Sequence, residues 1–105
     1  MELSDLQNKV ACFVENNELE TSIEVRLIDL VSEIGELSKE NLKISDYGME
    51  EFKKTEEWES EFGDVLFSLI CIANKTDIEL EKSLNKVLDK YKKRSKLKGD
   101  ISSGK

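Results

Sequence analysis

Apolar residues recur along this chain at intervals of three and four, the period of helices with one buried face. Regular alternation of apolar and polar residues, which would predict strands, is scarce. The chain has no proline and only five glycines, so long helices can form with few breaks. The pattern therefore predicts an all-α fold.

Start and stop signals divide the chain into four predicted helices. The sequences SDLQ and TSIE have the form of capping boxes and mark the first two helix starts. The helices are predicted over about Ser4–Glu15, Thr21–Leu42, Thr55–Lys75 and Ile78–Lys96. The polar stretch KISDYGMEEF, between the second and third helices, is predicted to form a connection or a short fifth helix.

At 105 residues, the chain has the length of one domain. Residues 1–97 are predicted to form that domain, and KGDISSGK at 98–105 is predicted to be a disordered tail. Small domains bury a limited fraction of their surface and often associate. Cys12 and Cys71 each lie among apolar neighbours and are predicted to be small core residues.

Charge and composition exclude several classes of protein. A net charge of −7 argues against a nucleic-acid binder. No apolar run is long enough to span a membrane, and MELSDLQ lacks the features of a signal peptide, so a cytoplasmic location is expected. The chain has no histidine, which excludes imidazole zinc sites and histidine-dependent catalytic triads.

The second and third helices each carry an apolar seam with steps of four and three residues. The seams are Ile23, Leu27, Leu30, Ile34 and Leu37, and then Trp58, Phe62, Val65, Leu69 and Ile72. Four acids each lie one residue before a seam position, namely Glu33, Glu36, Glu61 and Asp64. They are therefore predicted to lie at the boundary of the core, on one flank of each seam.

The acids come in two similar phrases, EIGE and EFGD. Carboxylates three residues apart on a helix repel, and a glycine inside a helix costs about 1 kcal/mol relative to alanine. In a chain with 23 acidic residues, such pairs can also be ordinary solvated acids. If the phrases face each other, however, glycine permits close approach, and oxygen ligands without histidine or cysteine suit Mg²⁺, with Mn²⁺ as a substitute.

The fourth helix carries a line of cations, Lys86, Lys90 and Arg94, at intervals of four residues. Basic residues near a helix C-terminus also complement the helix dipole and keep the surface soluble. Next to a Mg²⁺ site, however, such cations would stabilise the charge of substrate phosphates.

The sequences VSEIGELSKE and EFGDVLFSLICIANKTDIELEKSLNKVLDKYKKR resemble the MazG-like nucleotide pyrophosphohydrolases of the all-α NTP pyrophosphatase superfamily. The signature is E-x-x-E followed by E-x-x-D, here Glu33, Glu36, Glu61 and Asp64, with a spacer of 24 residues. The resemblance covers roughly residues 20 to 95. The combination is specific, although the acid motif alone would not be.

The resemblance implies a helical bundle completed by dimerisation, in a homodimer or homotetramer. It also implies hydrolysis of a nucleoside or deoxynucleoside triphosphate between the α and β phosphates, giving a monophosphate and pyrophosphate. The four acids would bind Mg²⁺ and activate water. Lys86, Lys90 and Arg94 would approach the phosphates, and Asn74 would contact the nucleotide.

Two departures from the family pattern bear on specificity. Ser32 stands where many relatives have an acid, and Ser95 stands where many have an aromatic residue. Neither change removes a metal ligand, but base specificity does not carry over from relatives. Phosphoribosyl-ATP pyrophosphohydrolase or deoxynucleotide diphosphatase activity stays open within the same fold. A non-catalytic helical dimerisation or regulatory module is the alternative from another class.

Overall fold

The computed structural model describes residues 1–98, which form four α-helices. They are α1 (Leu3–Asn16), α2 (Ile23–Ile44), α3 (Glu56–Lys75) and α4 (Leu80–Lys98). The all-α prediction is confirmed, and the helix boundaries agree within a few residues. The predicted tail lies beyond the described residues except for Lys98, which ends α4. Within the described range, no helix has the length and apolar character needed to cross a bilayer.

Side-chain caps explain where the helices begin. The Ser22 hydroxyl accepts a hydrogen bond from the Val25 N–H at 3.2 Å, so the α2 cap is one residue later than the Thr21 that the capping-box pattern predicts. The Thr55 hydroxyl accepts from the Trp58 N–H at 3.0 Å and caps α3. At α1, the Asp5 carboxylate accepts from the Glu2 N–H at 2.9 Å.

The stretch after α2 forms turns and not a fifth helix. Asp46, Tyr47 and Gly48 have φ values of 48°, 57° and 87°, in the left-handed region. Three successive residues in this region cannot continue a right-handed helix. The chain therefore leaves α2 sharply and reaches α3 through an exposed loop.

The helices pack mainly in the order α2, α3, α1, α4. The antiparallel pair of α2 and α3, which we call the hairpin, has the most extensive contact. The rings of Phe13 in α1 and Phe67 in α3 meet edge to face, with centroids 6.3 Å apart. α2 and α4 therefore stand at the two ends of this packing order.

The core of a single chain is small. The buried hydrophobic residues of residues 1–98 are Val14, Ile70, Cys71 and Ala73. Cys12 is exposed, so its predicted place in the core is wrong, whereas that of Cys71 is confirmed. The radius of gyration is 16.9 Å, against about 13 Å for a compact chain of this length. The four helices therefore do not close into a complete bundle.

The predicted apolar seams are only half buried. Each helix is rotated so that the flank of the seam that carries the acids turns toward the other helix of the hairpin. The α2 residues that turn toward α3 include Arg26, Leu30 and Glu33, which are partly buried. The other edge of the seams stays exposed and forms one apolar surface on the hairpin. This hairpin face consists of Leu27, Ile28, Val31, Ile34, Phe62, Leu66 and Leu69.

Candidate metal and phosphate site

The hairpin places the two acid pairs on the side opposite the hairpin face. On each helix of the antiparallel pair, the residues just before the positions that contact the other helix lie on one side of the hairpin. The residues just after those positions lie on the opposite side. Glu33 and Glu61 are partly buried between the helices, and Glu36 and Asp64 are exposed beside them. The two phrases of the sequence thus lie across from each other.

The glycines of EIGE and EFGD, Gly35 and Gly63, do not lie at the contact between α2 and α3. A Cβ added at Gly35 or at Gly63 would have no heavy atom within 4 Å, apart from neighbouring helix backbone. The expectation that glycine permits close approach is therefore wrong for contacts inside one chain. The space next to both residues is open to a ligand or to a second copy.

Partial burial and neighbouring carboxylates raise the pKa of Glu33. Burial is the largest cause, followed by the negative charges of Asp64 and Glu61. The closeness of the Asp64 side chain to the Glu33 carboxyl group raises the pKa of Glu33 further. Repulsion across the hairpin thus favours the neutral form of Glu33.

The pKa of Glu61 is also raised, first by partial burial and then by the charge of Asp64 and Glu36. Glu57 and Glu40 contribute further negative charge. For both Glu33 and Glu61, the causes after burial are neighbouring carboxylates, so the acids act on one another.

The donor set fits a hard divalent cation, although the side chains do not form a closed cage. Among residues 1–98, no three side chains of histidine, cysteine, aspartate or glutamate converge tightly enough to hold an ion as they stand. Mg²⁺ needs no such cage, because it keeps several waters and binds one or two carboxylates together with substrate phosphates. The all-oxygen chemistry and the mutual repulsion of the acids both fit this ion.

A cavity of about 280 Å³ lies next to the acids and is called here the acid cavity. Its lining comes from α2 and α3 alone and comprises Arg26, Asp29, Ser32, Glu33, Asp64, Phe67 and Ser68. Arg26 was missed by the sequence reasoning. The available signal was its position seven residues before Glu33, on the same face of the helix.

The other end of the hairpin carries an aromatic cluster and a buried acid. Trp58 packs between Phe52 and Phe62, with ring centroids 4.9 Å and 5.9 Å away. Glu40 is buried, accepts a hydrogen bond from the Thr55 hydroxyl at 3.4 Å, and lies 3.5 Å from the Lys43 ammonium group. These contacts fix the hairpin close to Glu61.

The predicted cations of α4 lie apart from the acids. Lys86, Lys90 and Arg94 line a separate cleft of about 460 Å³, whose other lining residues also belong to α4. The ammonium group of Lys90 and the guanidinium group of Arg94 lie 5.4 Å and 5.9 Å from the centre of the Tyr91 ring. A single chain does not bring these cations to the carboxylates.

Asn74, predicted to contact the nucleotide, is engaged with α1. Its side-chain oxygen accepts from the Gln7 side-chain amide at 3.1 Å, and its own amide donates to the Gln7 backbone carbonyl at 3.0 Å. This arrangement gives Asn74 a role in packing α1 against α3.

The fold and the residues on it define a class: an all-α protein with a carboxylate-lined site suited to a divalent cation and phosphates. The sequence profile of the MazG nucleotide pyrophosphohydrolase domain matches residues 21–97. The chain therefore belongs to the MazG family of nucleotide pyrophosphohydrolases, as the sequence resemblance predicts.

Individual relatives agree with this assignment. The uncharacterised protein YpjD of Bacillus subtilis (strain 168) is 44% identical over 71 residues, which are 64% of this chain and 61% of that protein. The crystal structure of a Bacillus-conserved MazG protein, a nucleotide pyrophosphohydrolase, matches with a TM-score of 0.71 at 34% identity, covering 87% of this chain and 90% of the other. A crystal structure of YPJD from Bacillus subtilis matches with a TM-score of 0.72 at 35% identity, covering 87% and 93%.

Proposed function

We propose that the protein hydrolyses nucleoside or deoxynucleoside triphosphates between the α and β phosphates, in a reaction that depends on Mg²⁺. The products are a nucleoside monophosphate and pyrophosphate. The observation that carries the proposal is the meeting of two acid pairs on one side of the hairpin in a chain of the MazG family. Burial, and after it the repulsion of neighbouring carboxylates, raises the pKa of Glu33 and Glu61, as expected for a site that gains stability from a cation.

In this mechanism Glu33, Glu36, Glu61 and Asp64 hold the ion. Bound Mg²⁺ supplies a Lewis acid for the phosphate oxygens and increases the acidity of water. One of the carboxylates, Glu33 or Glu36, would accept the proton of the attacking water. The water oxygen bonds to the α phosphorus, the bond from that phosphorus to the α–β bridging oxygen breaks, and pyrophosphate leaves with the bridging oxygen.

The protein acts as a homodimer in this proposal, and the hairpin face is the contact between copies. Seven large apolar residues are exposed on that face, whereas residues 1–98 of one chain include four buried hydrophobic residues. Exposed apolar surface of this kind marks an interaction site. The large radius of gyration also supports a bundle that a second chain completes.

A second copy also accounts for the position of the α4 cations. Lys86, Lys90 and Arg94 are remote from the acids of their own chain, yet phosphates held at a Mg²⁺ site would need nearby cations. We infer that Lys90 and Arg94 reach the phosphates bound at the acids of the other copy. Tetramers would combine two such dimers.

A nucleotide panel assayed with and without Mg²⁺, with pyrophosphate detected, tests the proposed reaction. Glu36→Gln and Asp64→Asn should each lower kcat at least about a thousandfold while helicity is kept, since each removes a charge that holds the ion. Glu24→Gln, on the exposed first turn of α2, is the matched control and should keep full activity. Full activity of the first two variants would refute the site.

The same panel separates the remaining alternatives. Pyrophosphate released from phosphoribosyl-ATP alone, or from deoxynucleoside triphosphates alone, would identify the other activities of this fold. A non-catalytic dimerisation module would release nothing and would respond little to Mg²⁺.

A further inference from the structure

We propose that Arg26 binds the phosphate chain of the substrate from within the same chain that carries the acids. The inference rests on the proposed function and adds a cation to it that the acid motif does not contain. Arg26 contributes to the lining of the acid cavity together with Glu33 and Asp64. Among the described residues, Arg26 is the only basic residue that lines the acid cavity.

Two contacts hold the Arg26 side chain in place. Its guanidinium carbon lies 5.8 Å from the centre of the Phe67 ring, in cation–π contact. One terminal nitrogen donates a hydrogen bond of 2.6 Å to the Leu19 carbonyl. A guanidinium group has five N–H donors, so most of them stay available for a ligand after this bond. A fixed group of this kind loses little entropy on binding.

Arg26 makes no ion pair within residues 1–98, although three carboxylates line the same cavity. The carboxylates of Asp29, Glu33 and Asp64 all lie more than 4.0 Å from it, since both salt bridges of this region involve lysines elsewhere. A cation that forms no ion pair with the neighbouring carboxylates can bind a separate anion. A phosphate chain can interact with both the carboxylates and the guanidinium group of the cavity. The carboxylates bind it through a metal ion, and Arg26 binds it directly.

The position of Arg26 also fits an extended ligand. Arg26 and Glu33 are separated by seven residues of α2, or about 10 Å along the helix axis. Arg26 lines a second cavity of about 300 Å³ as well, between α1, α2 and α3. A chain of phosphates that starts at Glu33 and continues toward the second cavity passes Arg26.

The alternative is that Arg26 only fixes the loop before α2 through Leu19 and Phe67. Arg26→Gln separates the two roles, because glutamine keeps an amide donor and an aliphatic stem but has no charge. Arg26→Lys keeps the charge and loses the planar fork. Lys9→Gln is the matched control, since Lys9 is an exposed cation of α1 that lines neither cavity.

Calorimetric titration of inorganic tripolyphosphate with Mg²⁺ into the full chain tests the proposal without turnover. Arg26→Gln should weaken binding about tenfold, as expected for a lost charge-assisted hydrogen bond, and Arg26→Lys should weaken it less. KM for the nucleotide should rise by a similar factor, with kcat changed by less. The melting temperature of each variant reports any structural role.

Wild-type affinity in Arg26→Gln, or an equal loss in Lys9→Gln, would overturn the proposal. So would failure of the wild-type protein to bind tripolyphosphate. If Arg26→Gln does not fold, the comparison of Arg26→Lys with the wild-type protein decides instead, and unchanged affinity together with unchanged KM refutes the role. A wild-type protein that binds tripolyphosphate but hydrolyses no nucleotide refutes the proposed reaction, while the calorimetry still decides the role of Arg26.

Discussion

Gln7 of α1 and Asn74 of α3 are joined by two hydrogen bonds, one in each direction, of 3.1 Å and 3.0 Å. The Gln7 amide also donates to the Ile78 carbonyl at 2.8 Å, and its oxygen accepts from the Leu80 N–H at 2.9 Å. The last bond satisfies a donor at the first turn of α4. One buried side chain thus ties α1 to the end of α3 and to the beginning of α4.

Gln7→Ala should lower the free energy of unfolding by about 2–3 kcal/mol, because three side-chain hydrogen bonds are lost and their partners are left partly buried. The melting temperature should fall by roughly 10–15 °C. Thermal denaturation followed by circular dichroism measures this. Asn8→Ala, at the exposed neighbouring position, should change little; a comparable loss there would contradict a specific role for Gln7.

Glu33→Gln should raise the stability of the metal-free protein at neutral pH while it abolishes turnover. The pKa of Glu33 is raised in the folded state, so folding favours the protonated carboxyl. This contribution is fully present below the ordinary pKa of 4.5 and is lost as pH rises through the folded-state pKa. Glutamine resembles the protonated form at every pH.

Urea denaturation at several pH values without metal measures this effect. The advantage of Glu33→Gln over the wild-type protein should be small near pH 4 and should increase toward pH 7. Glu24→Gln provides the control for a general loss of negative charge. An advantage of Glu33→Gln that is the same at all pH values would contradict repulsion among the acids.

Mg²⁺ should stabilise the wild-type protein, because the ion binds the native acids and not the unfolded chain. At a concentration of one hundred times Kd, the free energy of unfolding should rise by about 2.7 kcal/mol. Thermal melts with Mg²⁺ and with equal ionic strength of NaCl separate binding from screening. Asp64→Asn should respond far less, and an equal response would place the ion elsewhere.

Val31→Glu and Leu66→Glu should each dissociate the protein into monomers, because each puts a charge in the centre of the proposed contact. The dissociation constant should rise at least about a hundredfold. Analytical ultracentrifugation measures the mass of the assembly. Met49→Glu, at a loop residue that is 80% exposed, is the control and should leave the mass unchanged. A monomeric wild-type protein would rule out the dimer.

The helices and their order could be predicted from sequence because caps and periodicity are local properties. Thr55 and the apolar spacing of α3 were sufficient to place that helix. The family could also be predicted, since the two acid phrases and the residues after them form a specific combination. The start of α2 was displaced by one residue because Thr21 and Ser22 both carry a hydroxyl that can act as a cap.

The rotation of α2 and α3 about their own axes could not be predicted. The spacing of a seam shows which residues are apolar, but it does not show which neighbouring helix or chain covers them. Ile34 and Phe62 belong to the seams, yet they are 46% and 55% exposed in the single chain. Cys12 was misplaced for the same reason. Arg26 was missed because its importance depends on Phe67 and Leu19, which are distant in sequence or outside the helix.

Trp58 is the one tryptophan of the sequence, and it lies three residues before Glu61. Partly buried between Phe52 and Phe62, its indole is placed to sense any rearrangement of the adjacent carboxylates. With excitation selective for tryptophan, the emission therefore comes from a single indole at the edge of the candidate site. Changes in its emission can be followed during titration or rapid mixing without an added dye.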